Sequence, residues 1–111
     1  MNAEFFNNWT NQLRKGLLEL RILNSMRNTR MYGYEIIKEF VKTKGLIINE
    51  GTIYPILYRL KHKGLVKTSV QKSTDGPPRK YYELTAQGKK TLCQMNAYWQ
   101  AISKSRHRKR K

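Results

Sequence analysis

The 111-residue sequence predicts a mainly α-helical fold with one small β-hairpin. Three observations carry this expectation. Apolar residues recur at helical spacing in successive stretches between residues 4 and 63. Over residues 65–84 the pattern changes to alternation about an Asp75-Gly76 turn signal. After Thr85 a helical seam of Leu92, Met95, Trp99 and Ile102 takes over. Three helices, a hairpin and a last helix, in that order, describe a winged helix-turn-helix with added terminal helices.

The elements follow one by one. Phe5, Phe6, Trp9 and Leu13 form an apolar stripe over residues 4–13. Gly16 interrupts it, and Leu17, Leu18, Leu20, Ile22, Leu23 and Met26 then predict a helix buried on more than one side. Residues 27–31 read as a polar connection. A second helix is expected over residues 32–44, with Ile36, Ile37, Phe40 and Val41 inward and Gly45 as a left-handed stop. Leu46, Ile47 and Ile48 carry the chain across the core. Asn49 is a good N-cap, and Glu50 suits the positive end of a third helix that stops at Gly64. Ile53, Ile56, Leu57 and Leu60 fall on its inner side. Gly51, Pro55, Tyr58 and His62 fall opposite, flanked by Tyr54 and Arg59. Pro55 lacks an N–H, so this helix either starts late or loses one early hydrogen bond. Val66, Thr68 and Val70 alternate with polar residues in a strand; residues 73–78 form a loop and 79–84 the returning strand. Thr85 caps the last helix.

Charge narrows the function. There are 23 Lys and Arg against 7 Asp and Glu, a formal net charge of +16. Six of the basic residues lie in residues 104–111, yet the rest still outnumber the acids by more than two to one. Such a field attracts polyanions, nucleic acid first among them. Enzymatic chemistry finds little support. His62 and His107 have no Cys or acidic partner at metal-ligand spacing, the carboxylates are scattered, and the glycines form no phosphate-cradling loop. No cofactor or metal is expected. The lone Cys93 builds neither a disulfide framework nor a zinc site. Without a long apolar run or a signal-peptide pattern, the expected location is the cytoplasm, away from membranes.

The partner expected is double-stranded DNA. The third helix offers an apolar face to the core and a polar face to the major groove. On that face Gly51, Thr52, Tyr54, Pro55, Tyr58, Arg59 and Lys61 are the candidate contacts, with Tyr32 at the head of the preceding helix. Arg59 suits guanine or a phosphate, and Tyr54 and Tyr58 suit either a thymine methyl or half-buried packing. Lys72, Arg79 and Lys80 bracket the hairpin loop and suit the phosphate backbone.

Four segments resemble the PadR family of bacterial transcription regulators: Tyr32-Gly33-Tyr34-Glu35-Ile36, Glu50-Gly51-Thr52-Ile53-Tyr54-Pro55-Ile56-Leu57-Tyr58-Arg59-Leu60, Gly76-Pro77-Pro78-Arg79-Lys80-Tyr81-Tyr82 and Leu84-Thr85-Ala86-Gln87-Gly88. The resemblance spans about residues 15–102. It implies a homodimer on a palindromic operator, usually a repressor, joined through the last helix with help from the first. Phe5, Phe6, Trp9, Leu13, Leu92, Met95, Trp99 and Ile102 are then the interface residues. The expected division is 1–84 for the DNA-binding domain, 85–103 for the dimerisation helix and 104–111 for a basic tail. In some family members a tryptophan of the last helix lines a pocket for flat aromatic ligands. Trp99 stands at that place, as a ligand contact or as plain interface packing, although the last helix is short against the family pattern. Two alternatives stay open beside the repressor: an aromatic-ligand sensor, and an architectural or plasmid-maintenance DNA binder.

Overall fold

The computed structural model describes residues 2–40 and 48–104. It comprises α1 (Ala3–Ser25), β1 (Met31–Tyr32), α2 (Gly33–Phe40), α3 (Glu50–His62), β2 (Val66–Ser73), β3 (Gly76–Leu84) and α4 (Ala86–Lys104). The expected continuation of the second helix to residue 44, the Gly45 stop, the crossing of Leu46 and Ile47, and residues 105–111 of the tail lie outside the described residues.

Asn2 opens α1 by accepting a hydrogen bond from the Phe5 amide at 3.0 Å. The helix then runs unbroken through Gly16, against the expected interruption. A mid-helix glycine costs only about 1 kcal/mol relative to alanine. The burial of Leu18, Leu20, Ile22 and Leu23 directly after it outweighs that cost.

Met31, expected to end the polar connection, and Tyr32, expected to open the second helix, form a strand instead. Met31 and Tyr32 pair antiparallel with Tyr82 and Tyr81, giving a three-stranded sheet in the order β1-β3-β2. The second helix therefore begins at Gly33 and not at Tyr32. Glu35 reaches back to accept from the Tyr32 amide at 3.1 Å, which satisfies one of the orphan donors at the helix start.

The hairpin turn is tighter than expected. Ser73 pairs with Gly76, leaving only Thr74 and Asp75 in the turn. Pro77 and Pro78 lie within β3, opposite Lys72, where the register between Gln71 and Ser73 shifts. Proline has no N–H to give to a ladder, so the irregularity falls where the ladder would fail.

The core gathers Leu18, Ile22, Leu23 and Met26 with Ile36, Phe40, Ile48, Ile53, Leu57, Leu60, Val66, Tyr82, Leu84 and Leu92. Ile56, expected inside, is only half-buried, because it turns toward α1 across an open groove. The last helix is seated by Thr85, whose hydroxyl accepts from the Gly88 amide at 2.9 Å and donates to the Gly64 carbonyl at 2.6 Å. Gly88 has no room for a side chain: a Cβ there would fall 2.0 Å from the Leu65 carbonyl oxygen. This close approach packs α4 onto the start of β2. Gly64, at φ 79°, makes the turn between α3 and the sheet.

Candidate nucleic-acid interface

The third helix starts where its cap predicts. The Asn49 side-chain oxygen accepts from the Thr52 amide at 3.1 Å and from the Thr52 hydroxyl at 3.3 Å. The helix passes through Pro55, so Gly51 keeps a carbonyl that proline cannot bond. Ile53, Leu57 and Leu60 are buried and fix its rotation. Gly51, Thr52, Tyr54, Pro55, Tyr58, Arg59 and Lys61 are all exposed.

These residues differ in what they touch. The Tyr58 ring projects outward, 63% exposed, with its centroid 4.4 Å from that of His62. Tyr54 leans on the head of α2, where a Cβ at Gly33 would fall 2.2 Å from its hydroxyl oxygen. Gly33 is thus the gap into which Tyr54 fits. Arg59 points to α1, and its Nη1 donates to Oε2 of Glu19.

The sheet brings distant residues together beside this helix. The Arg79 guanidinium lies over the Tyr32 ring at 4.7 Å, and that of Arg30 over Tyr81 at 4.5 Å. Tyr32 and Tyr81 meet edge to face at 5.5 Å. Tyr34 stacks on Tyr32 at 6.4 Å, with the Lys38 ammonium 5.5 Å from its own ring centroid. Lys72 and Lys80 are exposed along the hairpin. Cationic groups and rings so arranged offer a polyanion positive charge backed by flat apolar surface. Sequence reading missed Arg30, Tyr34, Lys38 and Tyr81 as members of this cluster. The missing link was β1, which carries Tyr32 to β3.

A second surface lies along α1 and α4. Leu13, Gly16, Leu17, Leu20, Met95, Tyr98, Trp99 and Ile102 line an open apolar groove of about 420 Å³. Phe5, Phe6 and Trp9 continue it along the exposed side of α1. Leu92 is buried in the core, while Met95 and Trp99 are half-buried against it. Where the two helices meet, Asn24 and Asn96 exchange two amide hydrogen bonds of 3.0 Å each. Among the described residues no group of His, Cys, Asp or Glu is placed to hold a metal, and no helix is long and apolar enough to cross a membrane.

This arrangement of helices and wing coincides with known regulators. The sequence model of the "Transcriptional regulator PadR-like family" matches residues 22–94. The chain belongs to the PadR-like family of transcriptional regulators. A PadR-like transcription factor from Bacteroides fragilis superposes with a TM-score of 0.75 at 39% identity, over 87% of this chain and 93% of that one. A PadR-like regulator from Bacillus cereus gives 0.75 at 34% identity, over 84% and 90%. A transcriptional regulator of Mycobacterium tuberculosis is 30% identical over 81 residues, 73% of this chain and 74% of that protein. The matched segment takes in α2, α3, the three strands and the first half of α4. Members of the family regulate transcription by binding DNA, so the chain is a regulator and not an enzyme.

Proposed function

We propose that this PadR-like regulator is a sequence-specific repressor that binds a palindromic operator as a homodimer. The observation that carries the reading is the division of α3 into a locked face, Ile53, Leu57 and Leu60, and an exposed polar face bordered by a basic wing. Tyr58 and Lys61 enter the major groove, with Gly51 and Pro55 allowing close approach of the helix backbone, while Thr52, beside α1 at the helix start, meets a phosphate. Tyr54 supports the helix from the α2 side and presents its ring edge. Arg79, Lys80 and Lys72 hold phosphates, and Tyr32 shapes the Arg79 guanidinium beneath them. Selection from a random duplex library tests the reading: one inverted repeat should emerge, and Tyr58→Ala should relax preference at a particular base pair. Arg79→Ala should weaken all sequences alike and lower the salt slope of binding by about one. Enrichment of no sequence at all would count against a specific regulator.

The apolar groove beside Trp99 supports a second reading, release from DNA by a flat aromatic effector. In a Trp9→Phe protein, planar aromatic compounds should then quench the remaining Trp99 fluorescence and lower operator affinity together. No quenching would leave the groove as interface alone, and quenching without any change in DNA binding would remove the effector role.

A further inference from the structure

We infer that Glu19 and Arg59 form a strut that holds the recognition helix at a set distance and tilt from α1, and that Arg59 serves DNA binding through Glu19 rather than by reading a base. The inference rests on the homodimeric operator reading and deepens it. Arg59 lies on the side of α3 that faces α1, while its neighbour Tyr58 faces outward. Between the two helices runs an open groove of about 660 Å³, walled by Lys15, Leu18, Thr52, Pro55 and Ile56, and the ion pair bridges it. Glu19 is the more shielded partner, with 21% of its side chain exposed against 56% for Arg59.

Two consequences follow from that geometry. Nη1 is held by Glu19 on the α1 side of α3, and a base contact that drew the guanidinium away would leave a carboxylate near DNA phosphates, which it would repel. Kept together, the pair is neutral and costs DNA binding nothing. Glu19 also sits at the junction of α1, between the exposed stripe ending at Leu13 and the buried Ile22 and Leu23. In a twofold dimer joined through α1 and α4, the tilt of α3 on α1 sets the distance between the two recognition helices. That distance is the spacing between half-sites.

The experiment measures, with the full chain, binding to duplexes whose half-sites carry the best spacer or one base pair more or less. Glu19→Gln, Arg59→Gln and the double variant are compared with wild type, each checked by thermal melting. Each single variant should lose about fivefold of the preference for the best spacer, a size in keeping with an exposed ion pair. The double variant should lose no more than either single, and base preference within a half-site should stay unchanged in all three. The strut is overturned if Glu19→Gln keeps the spacer preference or binds more tightly while Arg59→Gln alters preference at one base pair. It is equally overturned if melting falls and the spacer profile does not move. A wild-type protein indifferent to spacing would sink the homodimeric operator reading, and the strut with it; a wild type that discriminates, with variants that do so equally well, would sink the strut alone.

Discussion

Tyr82 sits in the middle strand with 7% of its surface exposed. Burial raises its phenol above the ordinary value of 10.0, and the nearby Tyr54 phenol adds to the rise. As pH climbs, the unfolded chain therefore ionises first. The stability gained by keeping Tyr82 neutral is fully present below pH 10 and is lost as the pH rises through the raised value. Thermal melting of wild type should fall more steeply above pH 10 than that of Tyr82→Phe, with the two curves parallel near neutrality. Equal slopes would mean that Tyr82 is not desolvated in solution. Tyr54 shows how single residues divide their duties on this surface. Its place on the helical wheel suits a base contact or half-buried packing, and its ring fills the space that Gly33 leaves at the head of α2. A wheel reports direction from one axis only and carries no information about a neighbouring helix.

At the scale of elements, the legible features were those encoded within one segment. The Asn49 cap, the inner row Ile53, Leu57 and Leu60, and the Thr85 cap are local signals, and the structure follows each. Features made by two distant segments were not legible. The two-residue β1 has too few side chains to show alternation, and it exists because Tyr81 and Tyr82 offer it a ladder. The Glu19–Arg59 pair is 40 residues apart in sequence and leaves no periodic trace. The same holds for Asn24 and Asn96, 72 residues apart, whose amides close a two-bond ring between α1 and α4. Both are partly buried, so removing one leaves the other short of its partner. Asn96→Leu alone should cost about 1–3 kcal/mol in denaturant unfolding, whereas Asn24→Leu with Asn96→Leu should recover most of that loss. A double variant as unstable as the sum of the singles would show that the amides act separately.

At the scale of the whole molecule, two surfaces of opposite character share one chain. The helix face and wing are cationic, and the long arm of α1 with the end of α4 is apolar. Phe5 is 67% exposed, Phe6 59%, Trp9 49% and Ile102 48%, along a body whose longest dimension is 63 Å. A contiguous patch of this kind is rare on a protein that works alone. On the homodimer proposed above, a second copy of the chain would bury it and pair two recognition helices at once. The net charge of +16 opposes that pairing, since two such chains repel. Added salt screens the repulsion over about 10 Å at 0.1 M while leaving apolar contacts in place. Free of DNA, association should therefore strengthen from low to moderate salt, the reverse of the trend for binding DNA. Sedimentation velocity across salt and protein concentration would check this sign. Trp9→Glu with Leu13→Glu should give a single-subunit species that still binds duplexes weakly, keeping the base preference of one half-site but losing any preference for half-site spacing, because α3 and the wing are untouched. If that variant remained paired and kept its operator, the apolar arm would not be the joint, and the distance between recognition helices would have to be set elsewhere.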